Sequence, residues 1–286
     1  MKSQIRGFIR RILNLKKNET INSGIERKKI NIQKKFYKSK ITKEKLKENI
    51  QKLGVRAGDN LIVHSSWRQF YNFLGTPQDV IEVLKEILGE DGTLIMPSYG
   101  ENIRYFDVNK SKSNAGVITE IFRKLPGTLR SHCTHFSMSA YGKNSKYLTK
   151  DHFFSKYGFD KYSPYSKFIK LDNSKILFLG LGKEPTKISL FHCVSAELME
   201  NNKYFESLLS NVYNSKLVIE DQEYSKKMIT RKSGHSNNNK NFKKIFREIK
   251  NKRYQKISNL EMVIIDAKEG FQKAREFAEK GIYCYK

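Results

Sequence analysis

Residues 76–99 read TPQDVIEVLKEILGEDGTLIMPSY, and residues 60–67 upstream of them read NLIVHSSW. Thr76 is a helix N-cap, and Pro77 sits at the first helical position, where its missing N–H costs nothing. Gly89 ends the helix. The apolar run Leu61–Val63 before it is a short buried strand, and TLIMPSY after it is the next. A strand, a helical crossover and a second strand make the unit of a parallel or mixed sheet.

The same punctuation continues on both sides. TKEKLKENIQKLGV (42–55) reads as a helix with Thr42 as N-cap and Gly54 as its stop, so a folded body begins near Ile41. GVITEIFRKL (116–125) is another helix and KILFLGLG (175–182) another buried strand. SLFHCVSAELM (189–199) opens the helix after it, and LEMVIIDAKEGFQKAREFAEKG (260–281) is a closing strand and helix. The expected class is α/β, with no internal repeat.

The chain has 286 residues, enough for one large domain or two small ones. No apolar run approaches the roughly 20 residues of a membrane span. Cys133, Cys193 and Cys284 are odd in number and far apart. They fit neither a disulfide framework nor zinc spacing, so no metal is expected, and a cytoplasmic location is favoured. The formal net charge is +26, but it is uneven. Residues 1–45 hold 15 Lys+Arg against 3 acids, and residues 226–256 hold 12 against Glu248 alone. The rest of the chain is nearly neutral. Either these segments bind something anionic or the charge reflects a composition bias.

Residues 1–17 carry Ile5, Phe8, Ile9, Ile12 and Leu13 on one helical face, with Lys and Arg on the others. Such a helix lies on an anionic membrane surface, inner face included, or packs on a protein. Residues 18–40 read as a polar linker, so residues 1–40 form a basic extension and 41–286 the folded domain.

Two strand ends carry His64, Ser65, Ser66, Ser98 and Tyr99, and His192 follows a third strand and its Gly-rich loop. In open α/β sheets ligands bind beyond the carboxyl ends of strands. His64 is expected to be structural, and His152 and His235 to be surface residues. From the local residues alone, His192 is either a base or a packed core histidine.

The motifs LGVRAGDNLIVHSSW, GEDGTLIMPSY, FDVNKSKSNAGVITEIFRKLPGTLRSHCTH, YSPYSKF and KILFLGLG, in this order, resemble the aminoglycoside 3-N-acetyltransferase family over residues 42–192. The resemblance implies a mixed β-sheet sandwiched by helices and an acetyl-CoA-dependent acetylation of an amine on an amino sugar, by a fold unrelated to the GNAT enzymes. It places His192 at the family's base, and Ser65 and Ser66 at its coenzyme A site. Arg130, Thr134 and Ser137, in and beside SHCTHFS, fall on a segment that lines the cofactor tunnel. Tyr99, Glu101 and Asp107 fall where the acceptor cleft lies. His135 is a second candidate for proton transfer. The chain also departs from the pattern. Phe136 intervenes between His135 and the following Ser, Cys133 replaces a proline, and Ser195 stands where the family has Glu three residues after its histidine.

The chemistry asks for a base that takes a proton from an attacking amine, and imidazole suits that task near neutral pH. Donors are needed for the oxyanion. Cys193 reads as a small buried helix residue rather than an acyl carrier. Hydroxyls at Ser65 and Ser66 either cap the turn or contact phosphate. Guanidinium at Arg130 suits a coenzyme phosphate. A basic chain favours an anionic acceptor such as a nucleotide-linked amino sugar of surface-polysaccharide synthesis. The alternative is an aminoglycoside acetyltransferase conferring antibiotic resistance. Nucleic-acid binding rests only on KNFKKIFREIKNKRYQK (240–256), where Phe242, Phe246 and Tyr254 alternate with cations, and it is the least favoured reading. The sequence leaves the oligomeric state open.

Overall fold

The computed structural model describes residues 2–15 and 20–286. In chain order the helices and strands are α1 (Lys2–Ile12), α2 (Ile21–Phe36), α3 (Lys43–Lys52), β1 (Asn60–Ser65), α4 (Pro77–Leu88), β2 (Thr93–Pro97), β3 (Tyr105–Asp107), α5 (Val117–Phe122), β4 (Leu129–Arg130), β5 (Met138–Gly142), α6 (Ser145–Thr149), α7 (Pro164–Phe168) and β6 (Ser174–Leu179). They continue with α8 (Cys193–Glu197), α9 (Lys203–Leu208), β7 (Asn211–Ile219), β8 (Gln222–Thr230), α10 (Asn239–Glu248), β9 (Lys252–Ile257), β10 (Leu260–Asp266) and α11 (Ala267–Glu279).

Seven strands form one mixed sheet in the order β4-β5-β2-β1-β6-β10-β9. β1 runs parallel to both β2 and β6, and the outer pairs are antiparallel. Alternation along β1 sorts its side chains to opposite faces. Leu61 and Val63 join α3, α4 and α5 in one core, whereas Ile62 joins the core under α6 to α11. The sheet is therefore sandwiched by helices, as the resemblance implied. The helix that decided the fold has the expected ends. Thr76 and Asp79 form a reciprocal capping box, Pro77 opens α4, and Gly89 closes it at φ 63°. A second sheet, β3-β7-β8, packs beside the first.

Two expectations are corrected. Most of the stretch read as a linker is α2, capped by Thr20, whose side chain accepts from Ser23 N–H at 3.2 Å. This helix lies on the body. Ile30 is buried, Arg68 reaches Ser23 and Glu26, and the Tyr37 carbonyl accepts from Asn72. The basic run 226–256 is woven into the domain as β8, α10 and β9. Phe242 and Phe246 are core residues, which removes the aromatic platform that a nucleic-acid reading required.

Candidate active site

His192 ends a short 3-10 turn, Ser189–His192, that runs directly into α8. It is 8 % exposed, packed among Phe159, Phe242 and Tyr285. Its Nδ1 lies 2.6 Å from the Tyr285 hydroxyl, and the two rings stack at 5.2 Å. Ser195 Oγ donates to the His192 carbonyl at 2.6 Å and sits 3.3 Å from Tyr157 and 3.4 Å from Tyr285. With the Ser195 proton on the carbonyl, its oxygen can accept from Tyr285, the contact whose geometry allows either direction. Burial pushes the His192 pKa down to about 3, helped by Arg231 and His135. The ring is neutral at physiological pH.

The orienting partner of His192 is therefore Tyr285, 93 residues away in sequence. Ser195, at the position of the expected acid, supports it through the hydroxyl cluster. Glu197 points elsewhere and pairs with Arg275 at 2.9 Å. Tyr285 is held by an isolated bridge to Asn237, by the Ser236–Lys286 backbone pair, and by the Arg231 guanidinium 5.0 Å from its ring centre. Nothing local in the sequence marks Tyr285 or Tyr157 as site residues.

His135 stacks on Phe136 at 3.8 Å, and Phe136 meets Phe159 at 4.2 Å and Tyr99 at 6.1 Å. A chain of rings therefore joins Tyr99 and His135 to His192. Phe136 takes φ 65°, a left-handed conformation that a bulky side chain avoids. This is how the loop accommodates the intervening residue. His135 is itself neutral, with its pKa pushed to about 3 by burial and then by Arg231. His135 Nδ1 is buried without a hydrogen-bond partner, and Thr134 Oγ1 is buried with only the Tyr213 hydroxyl near it. Orphaned polar atoms of this kind need a partner, and the amides of an inserted pantetheine chain would supply one. On that observation, the loop fits coenzyme A.

Other expected residues are placed differently. Arg130 faces inward: it donates to the Ser98, Val108 and Ser111 carbonyls and covers the Phe106 ring at 4.4 Å. Its fork is spent on backbone, which corrects the expected phosphate contact. Ser137 donates to the Ser131 carbonyl at 2.7 Å and is fully buried. Asp107 is buried and accepts from the backbone N–H groups of Asn109 and Lys110, so it shapes a turn. Glu101 is exposed, and Tyr99 is half-buried with its pKa raised by burial. His152 is interior, its Nδ1 2.7 Å from Ser131 Oγ, and His235 is half-buried; neither is an open surface residue. His64 stacks on Phe178 within the sheet, as expected for a structural residue. Burial raises the Cys193 thiol to about 12, so it is no nucleophile at neutral pH.

Ser66 lines a cavity of about 410 Å³ beyond the ends of β1 and β6. Gly180, at φ 73°, lets the end of β6 approach the 3-10 turn that follows β1, because a Cβ there would meet Gln69 Cβ at 2.6 Å. Lys256 and Asn259 close one side, and α2 supplies Glu26, Lys29 and Gln33 from one face on another. Ser65 is half-buried at the end of β1. Glu26 is paired with Arg68, while Lys29 and Lys256 have no carboxylate partner among the described residues. No group of His, Cys, Asp and Glu among the described residues could hold a metal ion.

The family model for aminoglycoside 3-N-acetyltransferase matches residues 62–279. The chain belongs to that family. It is 32% identical over 137 residues to aminoglycoside N(3)-acetyltransferase IV of Salmonella sp, covering 46% of this chain and 51% of that protein. It is 26% identical over 164 residues to an aminoglycoside N(3')-acetyltransferase-like protein, YokD, of Bacillus subtilis (strain 168), covering 49% and 60% respectively. These matches thus span between half and three fifths of the curated relatives' length. Among solved structures, AAC-IIIb in binary complex with CoASH superposes with a TM-score of 0.71 at 20% identity, over 86% of this chain and 98% of that one. At that identity the superposition shows a shared fold. It agrees with the mixed sheet and the helices on both of its faces.

Proposed function

We propose that this family member transfers acetyl from acetyl-CoA to an amine of an aminoglycoside-type amino sugar, with His192 as the general base. The observation that carries the reading is the buried, neutral imidazole whose Nδ1 is held at 2.6 Å by Tyr285. When Nδ1–H donates to Tyr285, the Tyr285 hydroxyl donates onward to Ser195, and Nε2 keeps its lone pair for a proton. Acetyl-CoA supplies an activated acetyl group as a thioester. A base of such low pKa does not deprotonate a free ammonium. It acts as the new N–C bond forms, when the nitrogen becomes strongly acidic.

The cavity at Ser66, with Lys29 and Lys256 on its walls, suits the phosphate-bearing end of the coenzyme. His135 and Thr134 suit its amide-bearing arm. The names of the relatives support an aminoglycoside acceptor. Overall charge, which favoured a sugar nucleotide, loses force because much of it lies in structural elements and in α1 and α2. One local observation still favours an acceptor with an anionic substituent. Arg231 is half-buried beside His192, and its partners are the Asn237 side chain at 2.7 Å and the Tyr285 ring, with no carboxylate among the described residues.

Thiol release from acetyl-CoA against a panel of aminoglycosides and nucleotide amino sugars tests both. Turnover with aminoglycosides is expected, and it should fall about 10²–10⁴-fold in His192→Ala with the fold intact. Turnover confined to phosphorylated amino sugars would favour the second reading. Absence of turnover with every amine would remove the enzymatic reading of this site.

A further inference from the structure

The helices α1 and α2 pack together end to side. Arg27 donates to the Leu13 and Asn14 carbonyls, and Lys28 to that of Ile12, so α2 caps the open carbonyl end of α1. α2 meets the body through Ser23, Glu26 and Ile30, and Tyr37 just beyond it adds a further contact. A different set of side chains is left in solvent. On α1 these are Ile5, Phe8 and Ile12, and on α2 Ile25, Ile32 and Phe36. Phe8 is 65 % exposed and Phe36 77 %. Six of the fifteen large apolar side chains exposed among the described residues fall in this short segment. On each helix the spacing puts them on one face. Scattered exposed apolar residues need no explanation, but a concentration of this kind marks an interaction surface.

The same segment is strongly cationic. Residues 1–45 hold 15 Lys+Arg and 3 acids, and α1 contains no acid. Arg11, Lys29, Lys34 and Lys35 are exposed. The apolar face is not the one α2 uses against the body. A second copy of the chain would bring like charges together at the join. An anionic surface with an apolar interior satisfies both features.

We propose that α1 and α2 dock the protein on an anionic lipid surface, with Phe8, Phe36 and the isoleucines beside them entering the headgroup boundary. Basic amphipathic helices bind lipid in this way, through apolar burial added to headgroup attraction. Lys29 stands four residues after Ile25 and three before Ile32, so it borders this stripe, whereas Glu26 and Gln33 line the cavity at Ser66 from farther round α2. The inference is independent of the acetyl-transfer reading.

The test is co-sedimentation of the full chain with phosphatidylcholine vesicles, with and without phosphatidylglycerol. Binding is expected only with phosphatidylglycerol, and it should weaken as salt rises. Phe8→Asp with Phe36→Asp should lower partitioning about tenfold or more, and Arg11→Glu with Lys35→Glu should lower it comparably. The urea unfolding midpoint measured on the same variants reports whether the body remains folded. Equal binding to neutral and anionic vesicles, or binding unchanged in both double variants, overturns the proposal. So does sedimentation equilibrium showing a dimer of the full chain that Phe8→Asp with Phe36→Asp converts to monomer, because the stripe would then be a self-interface.

Discussion

A histidine acting as a base needs one ring nitrogen fixed and the other free. Around His192 a phenol fixes Nδ1 where a carboxylate would carry charge, and this difference has consequences. A carboxylate would stabilise the imidazolium by Coulomb attraction, whereas a Tyr–Ser chain offers only dipoles. Burial, and then Arg231 and His135, keep the His192 pKa near 3, with no carboxylate beside the ring among the described residues to raise it. His192 is then neutral throughout the physiological range, and the pH dependence of turnover belongs to the acceptor amine. The expected kcat/KM profile rises with pH as that amine deprotonates. A limb near the ordinary histidine value of about 6.5 that vanishes in His192→Gln would contradict this assignment. Tyr285→Phe keeps the ring stacked on His192 and the surface under Arg231 but removes the hydroxyl. It is expected to lower kcat about tenfold with KM nearly unchanged, because it frees the tautomer and the ring rotation. The stability cost should be about 1 kcal/mol, the worth of one hydrogen bond. Steady-state kinetics and a melting curve on one preparation check both parts. Unchanged kcat would show that Tyr285 only packs. His192 stood out as a candidate through its motif, although its ring packs among Phe159, Phe242 and Tyr285 rather than in an open strand-end crevice. Tyr285 did not, since a contact spanning 93 residues leaves no local pattern.

Helices and strands with marked ends could be read directly. Thr42 and Thr76 each cap the expected helix, with side-chain oxygens accepting from Lys45 and Asp79 N–H groups. β1 extends from the expected Leu61–Val63 to Asn60–Ser65 because pairing with β6 continues through the polar residues. Two elements were hidden for physical reasons. α2 keeps its apolar stripe in solvent, so its polarity resembled a linker. The β7–β8 hairpin turns at Glu220 and Asp221, both left-handed at φ 49° and 63°, without the Asn or Gly that normally marks such a turn. α10 shows how a charge run can mislead. Its cations lie outward while Phe242, Ile245 and Phe246 are buried. Phe242→Ala is accordingly expected to cost about 3–5 kcal/mol by leaving a cavity beside His192. Lys243→Gln with Lys244→Gln should cost less than about 0.5 kcal/mol, since exposed charges contribute little. Urea unfolding of the two variants measures the contrast. A large loss in the lysine pair would mean that their charge holds the fold. At the cavity by Ser66, Lys29→Ala with Lys256→Ala should weaken coenzyme A binding about tenfold, and weaken dephospho-coenzyme A less, if these amines meet phosphate. Calorimetry with both ligands decides it, and identical affinities in variant and parent would place the phosphates elsewhere.

On the scale of the whole molecule, burial keeps four histidines neutral: the half-buried His64, with its pKa lowered to about 4, the half-buried His135, and His152 and His192 in the interior, each of these three lowered to about 3. In the unfolded chain all four return to about 6.5. Between these values the unfolded state binds up to four more protons than the folded one. Stability is therefore complete above about pH 6.5 and is lost as pH falls toward the folded values. The carboxylates held low by their partners, such as Asp79 and Glu120 at about 2, act in the same direction, but only below their unfolded values of about 4. The interval from about pH 6.5 to 4.5 thus belongs to the histidines. There the slope should approach roughly 1.4 kcal/mol per pH unit for each of them, about 5 kcal/mol per unit together at most, against a total stability on the order of 10 kcal/mol. The urea midpoint is expected to be flat from about pH 8 to 7 and to fall steeply from about 6.5 downward, with an unchanged m-value. His64→Phe, which keeps the stacking on Phe178, should make that fall shallower by about a quarter. A midpoint that holds constant to about pH 5 would mean that these imidazoles keep nearly ordinary proton affinity, and that water reaches the rings around His192 in the free protein.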